Sequence, residues 1–308
     1  MDRVTNGAIL PEKARGGIVA LGNFDGFHAG HQAVVGRALE LARAAGVPAL
    51  VASFDPHPAR LFKPDLPPFA LTGVTQRLDL LAAFGIDAAV MIPFTRELAA
   101  LSAEAFVEQW LVRRLAVTGV VTGNDFTFGE GRSGDTAQLA ALGAQLGFSA
   151  EVVAPVADAG GTISSTRVRS SLRDADPAAA AALLTRPFTI RGVVERGAKL
   201  GRTLGFPTAN MRLGDYVRPA YGVYAVRVRL PGGKKVDGVA NLGIRPMIEP
   251  RVELLETWIM DWSGDLYGKV IEVELVAFLR PEMKLDGLEA LKAQIAADVQ
   301  NAKSSLSP

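Results

Sequence analysis

All three histidines of this 308-residue chain lie in two short motifs. His28 and His31 stand in Gly22-Asn-Phe-Asp-Gly-Phe-His-Ala-Gly-His31, and His57 stands in Ser53-Phe-Asp-Pro-His-Pro58. The first motif reads as a strand-to-helix turn. Gly22, Gly26 and Gly30 let backbone N–H groups approach a phosphate, and a following helix N-terminus adds positive potential. Phe24 and Asp25 sit inside that turn. A spacing of three puts both imidazoles on one side of a helix entry, within reach of one polyphosphate. Two histidines with Asp25 could instead hold a metal, but a glycine-rich turn suits phosphate better. For His57 the choice is between a phosphate ligand and a rigid Pro-His-Pro turn.

A second stretch carries chemistry of another kind. In Gly197-Ala-Lys-Leu-Gly-Arg-Thr-Leu-Gly-Phe-Pro-Thr-Ala-Asn210, Gly197, Gly201 and Gly205 recur every four residues and suit a flap over phosphates, or an ordinary loop. Thr208 and Asn210 lie two apart, so on an extended segment both face the same way. They could ligate Mg²⁺ carried by ATP phosphates, or belong to an ordinary turn. Among later acids, Glu253, Glu256 and Glu272 all fall in strand-like runs, and spacing alone does not choose between them.

These residues need elements to hold them. Residues 17–21, 49–54, 88–92, 119–122 and 150–153 read as buried strands, with helical patterns at 31–45, 74–84, 103–115 and 135–146. This alternation predicts a Rossmann-like doubly wound parallel sheet, with ligands at the carboxyl ends of its strands. Two further helices are expected at 164–172 and 177–184. Strand patterns then follow at 188–194, 222–230, 235–242, 252–260 and 269–278, and a terminal helix at 287–301. That run predicts a closed antiparallel β-barrel, with the domain boundary at 185/186. Gly129-Glu-Gly-Arg-Ser-Gly134 has dinucleotide-fingerprint spacing but lies far from the first strand–helix turn, so it reads as a mobile loop.

Composition narrows the function. There are no cysteines, which excludes disulfides, thiolate metal sites and a cysteine nucleophile. A net charge of +1 gives no bulk basic surface for nucleic acid. No apolar run approaches the ~20 residues that span a bilayer, and residues 1–10 lack the pattern of a secretion signal. A cytoplasmic enzyme, acting as monomer or weak homo-oligomer without nucleic acid or membrane, is the expectation.

The histidine motif resembles the signature of the nucleotidyltransferase superfamily. With the stretches 53–62, 71–72, 101–107, 123–129, Arg132, 134–135 and 163–169, it resembles the bacterial bifunctional riboflavin kinase/FAD synthetases. The stretches 201–210, 222–224, 239–246, 255–256, 264–268 and 278–282 extend the resemblance over the second half. It implies ATP-dependent phosphorylation of riboflavin to FMN in the C-terminal part, then adenylyl transfer to FMN in the N-terminal part, giving FAD and pyrophosphate. ATP with Mg²⁺ is the implied phosphate donor. The resemblance assigns His28 and His31 to ATP phosphates and Asn124, with Asp125, to nucleotide or flavin placement. Ser164, Ser165, Thr166 and Arg167 would grip phosphates from the far side, and Glu256 would be the kinase base. Two residues depart from the family pattern: Met247, where Thr is usual, and Trp258, where His is frequent. A different nucleotidyltransferase leaves the second set of motifs unexplained, and an inactive flavin-binding protein would not need these side chains.

Overall fold

The computed structural model describes residues 1–5, 7–196, 206–245, 252–284 and 286–307. The chain forms two compact units, Met1–Pro67 with Val74–Ile163 and Pro68–Gly73 with Ser164–Pro308.

The first unit is built on a parallel sheet of six strands: β1 (Asp2–Val4), β2 (Ile18–Leu21), β3 (Ala49–Asp55), β4 (Ala88–Pro93), β5 (Gly119–Gly123) and β6 (Ser149–Val153). Their order is β1-β4-β3-β2-β5-β6. Period-two alternation divides each strand between two cores. Val19, Leu21, Leu50, Ala52, Val90 and Ile92 face one core, together with Phe106, Leu111 and Leu139 from the helices. Ile18, Ala20, Ala49, Val51, Ala89 and Met91 face the other, against Val34, Val35 and Ala38 of α1 (Ala29–Ala45) and Leu78 and Leu81 of α3 (Val74–Phe84). Between these helices lies α2 (Pro58–Phe62). The sheet is therefore doubly wound, as its apolar runs require. Strand order reverses between β2 and β5, so the loops after these strands flank the topological switch point.

Some local features add to or depart from expectation. β1 is an added edge strand, paired in register with β4; three residues carry too short a pattern to read. The helix expected over 103–115 begins as α5 (Ala103–Phe106), after the short α4 (Arg96–Ala99), and continues as a π-helical segment Val107–Arg114. The Leu115 N–H donates five residues back to the Trp110 carbonyl at 3.0 Å, and Val107, Leu111 and Leu115, four apart, all stay buried. The Gly129–Gly134 loop is a closed turn before α6 (Thr136–Leu146), its ends joined by two backbone bonds between Phe128 and Gly134 at 3.0 and 2.9 Å.

The second unit opens with α7 (Ser165–Arg173) and α8 (Pro177–Leu184), which follow the short hairpin β7 (Ala157–Asp158) and β8 (Gly161–Thr162) of the first. An antiparallel sheet follows: β9 (Phe188–Val193), β10 (Thr208–Arg212), β11 (Gly222–Arg229), β12 (Lys235–Arg245), β13 (Val252–Ile259) and β14 (Val270–Pro281). Its order is β10-β13-β12-β11-β14-β9. The two edge strands approach at one bridge, where the Glu195 N–H donates to the Asn210 carbonyl at 2.8 Å. Among the described residues the sheet thus curls into a half-barrel joined at that point rather than along a full ladder. The terminal helix α9 (Gly287–Leu306) lays Val299, Ala302 and Leu306 on Ala225 and Met260, with Val239 and Trp258 alongside.

Candidate functional site

In the first unit, the motif after β2 makes a strained turn. Phe24 and Phe27 adopt φ of 51° and 44°, flanking Gly26 at 85°. Left-handed backbone at a non-glycine residue costs of order 1–3 kcal/mol and persists only where the surroundings hold it. Both rings are buried, Phe27 edge-on to Phe84 of α3. The turn delivers His28 to the N-cap of α1, where Nδ1 accepts the His31 N–H at 3.4 Å. An accepting Nδ1 leaves Nε2 to carry the proton. The two imidazoles stack, centroids 3.6 Å apart and planes 21° from parallel, and Phe24 meets His31 edge-on. His28 and Asp25 are buried. The spacing of three therefore becomes a stacked pair at a helix N-terminus. Gly30 gives the pair room: a Cβ there would lie 3.2 Å from His28 Cε1 and Nδ1, and the ring would have to shift. Gly22 likewise leaves room for the Phe24 ring, 3.1 Å from where a Cβ would stand.

His57 caps α2, its Nδ1 accepting the Ala59 N–H at 3.2 Å. Asn124 and Asp125 are exposed on the turn after β5, at the switch point. Three of the expected loops thus gather at carboxyl ends of neighbouring strands. Among the described residues no group of three His, Cys, Asp or Glu is placed to hold a metal ion.

Ser164, Ser165, Thr166 and Arg167 belong to the second unit's helix α7. Ser164 caps it, accepting the Arg167 N–H at 3.3 Å, so this first turn is an anion-ready N-terminus. Arg169 is tied back, donating from Nε to the Phe69 carbonyl at 2.7 Å with its guanidinium over the Phe69 ring.

On the half-barrel, register does what spacing could not. Asn210 of β10 pairs with Glu256 of β13, and Glu256 pairs with Asn241 of β12. These three side chains form one row across three strands, on one face. In the next row, on the same face, stand Thr208, Trp258 and Val239; Trp258 packs beside α9 and meets Phe206 edge-on at 5.2 Å. The catalytic candidates therefore lie beside the helix-covered part of the sheet. Asn210 is buried and its Oδ1 has no hydrogen-bond partner among the described residues, an acceptor suited to a hard cation. The rival acids are committed elsewhere. Glu253 accepts from Arg218 Nε at 2.5 Å and from the Tyr221 hydroxyl. Glu272 is paired with Arg191 at 2.5 Å and Arg229 at 3.0 Å. Gly197, Gly201, Gly205 and Met247 lie outside the described residues. Asn241 was missed at the sequence level; only strand register reveals that it faces Glu256.

Two family models divide the chain between them: FAD synthetase over residues 10–167 and riboflavin kinase over residues 184–306. The chain is 42% identical over 288 residues to the bifunctional riboflavin kinase/FMN adenylyltransferase of Escherichia coli strain K12, covering 94% of this chain and 92% of that one. This chain belongs to the bifunctional riboflavin kinase/FMN adenylyltransferase family. Further members of the family that resemble it come from Pseudomonas fluorescens, 40% identical over 97% of this chain and 96% of that one, and Haemophilus influenzae, 39% over 94% of each. A solved structure from Streptococcus pneumoniae, described as a macrolide-efflux protein, shares the two-unit fold: TM-score 0.86, 29% identity, 98% of both chains covered. That description concerns that protein; among the described residues here, no helix is long and apolar enough to cross a membrane.

Proposed function

We propose that the chain makes FAD from riboflavin in two ATP-dependent steps, with residues up to 185 serving adenylyl transfer and residues 186–308 serving the kinase. The cross-strand row Asn210–Glu256–Asn241 carries the kinase half of this reading. The terminal ribityl hydroxyl of riboflavin attacks the γ-phosphorus of ATP, its proton passes to Glu256, and ADP leaves. A neutral hydroxyl needs such a base, and Glu256 is the acid that stands between Asn210 and Asn241 in this row. Thr208 and the acceptor Asn210 would hold Mg²⁺ with the ATP phosphates; the ion, when bound, neutralises phosphate charge.

The stacked pair His28–His31 carries the adenylyl half. The FMN phosphate, already ionised, attacks the α-phosphorus of a second ATP and pyrophosphate leaves. No base is required, so charge stabilisation and alignment supply the acceleration. Here Gly22, Phe24, Asp25 and Gly30 shape the turn, His28, His31 and His57 bond phosphates, and Ser164, Ser165, Thr166 and Arg167 bind phosphate. Asn124 and Asp125 place the nucleotide or flavin. The same reading has the chain work in the cytoplasm as a monomer or weak homo-oligomer.

Chromatography of riboflavin incubated with ATP, Mg²⁺ and the protein tests the whole reading. FMN is expected first and FAD second, and EDTA is expected to stop both. Absence of both products sinks the proposal. A second prediction concerns Gly30. Gly30→Ala presses a methyl group on the His28 ring, and is expected to slow FAD formation from supplied FMN about tenfold, within the ~10²-fold that a 1 Å misplacement can cost. Riboflavin phosphorylation, measured in the same sample, is expected to stay at the wild-type rate.

A further inference from the structure

One buried charge in the first unit has no part in the chemistry above. Arg77 lies on α3, in a helix whose arginine reads from sequence as surface, yet it is only 5% exposed. Its Nη1 donates to the Asn23 carbonyl at 2.8 Å and to Ser53 Oγ at 3.0 Å. Ser53 Oγ donates in turn to the same Asn23 carbonyl at 2.9 Å. That carbonyl is the backbone oxygen between Gly22 and the left-handed Phe24, so two donors converge on the entry to the strained turn. No carboxylate forms an ion pair with Arg77 among the described residues, and its Nε is buried without a hydrogen-bond partner. Burial disfavours its charged form, with partial relief from Asp25 and Asp55, but a guanidinium stays protonated in any protein.

Buried charges are normally paired, because leaving water costs several kcal/mol. A guanidinium that spends its hydrogen bonds on a backbone carbonyl and a hydroxyl is a poor way to stabilise a core. It is a good way to fix one carbonyl while keeping positive potential beside an anion site. We propose that Arg77 is a positioning residue for adenylyl transfer. It locks the Asn23 carbonyl, holds the turn over 22–27 in its strained form, and supplies a buried positive charge that the nucleotide polyphosphate neutralises. This rests on the adenylyl-transfer reading of that turn.

The test uses the full-length chain with Arg77→Met, Arg77→Lys and Ser53→Ala. Three quantities are read: kcat and KM for ATP in FAD formation from FMN, the rate of riboflavin phosphorylation, and amide hydrogen exchange over residues 23–31. Arg77→Met is expected to lower kcat about tenfold or more and raise KM for ATP, as for loss of a preorganised charge. Exchange over 23–31 is expected to speed up, with riboflavin phosphorylation unchanged. Arg77→Lys, which can still donate to the carbonyl, is expected to recover part of the loss. Ser53→Ala, with one donor of two removed, is expected to show a smaller loss in the same direction. Adenylyl-transfer constants within about twofold of wild type in Arg77→Met overturn the proposal. So does equal loss of both activities in Arg77→Met, with Arg77→Lys and Ser53→Ala leaving exchange over 23–31 at its wild-type rate. If the wild-type chain forms no FAD, the functional reading of the turn falls instead, and the exchange comparison alone decides whether Arg77 fixes it.

Discussion

Glu256→Gln is expected to lower riboflavin phosphorylation by about 10²–10⁴-fold, the usual worth of a positioned general base. The substitution keeps side-chain volume and leaves the row with Asn210 and Asn241 intact. KM for ATP should therefore change little and the loss should appear in kcat, the mark of an interaction made only in the transition state. FAD formation from supplied FMN, which belongs to the other set of residues, should continue at its wild-type rate. The informative control is Glu253→Gln. Glu253 is held by Arg218 and Tyr221, and burial together with this carboxylate bond pushes the Tyr221 hydroxyl up to about 12. Breaking that cluster should lower thermal stability, by about 1–3 kcal/mol for a half-buried charged hydrogen bond, and spare the chemistry. If Glu253→Gln stopped FMN formation and Glu256→Gln did not, the base would be misassigned.

That control marks where sequence reasoning reached its limit. Most strands of both units were legible because buried parallel strands read as apolar runs and the barrel strands as spaced β-branched segments; the short β1, β7 and β8 and the edge strand β10 were not. The histidine turn was legible because its residues are contiguous: a turn, a cap and a first helical turn follow one another in the chain. The candidate row on the half-barrel is not contiguous. Glu253, Glu256 and Glu272 are all acids on strands, and what separates them is which neighbour each faces across the sheet. Asn241 became visible only through its register with Glu256. Arg77 was hidden for a similar reason. One arginine on an amphipathic helix reads as a solvated face, and nothing local says that its guanidinium reaches a carbonyl 54 positions away. The π-helical segment over Val107–Arg114 also escaped, since a spacing of four between buried residues suits either helix.

His31→Ala is expected to make FMN accumulate while FAD falls. With riboflavin and ATP as starting materials, phosphorylation should proceed normally and the second step should slow by about 10²–10³-fold, the usual cost of removing one preorganised donor from a developing charge. The stacked arrangement sharpens this expectation. The group of His31 that bonds His28 is its backbone N–H, which truncation keeps, so the N-cap bond of α1 survives in His31→Ala. His28→Ala removes a ring that also serves as the N-cap of α1, and should cost about 0.5–2 kcal/mol of stability in addition to activity. The two variants therefore separate chemistry from architecture within one motif. His31→Ala should lose FAD synthesis with a thermal midpoint near wild type, whereas His28→Ala should lose both. An unchanged FAD yield in His31→Ala would remove the imidazole pair from the mechanism. A lowered midpoint in His31→Ala equal to that of His28→Ala would show that the stack holds the turn together rather than bonding the nucleotide.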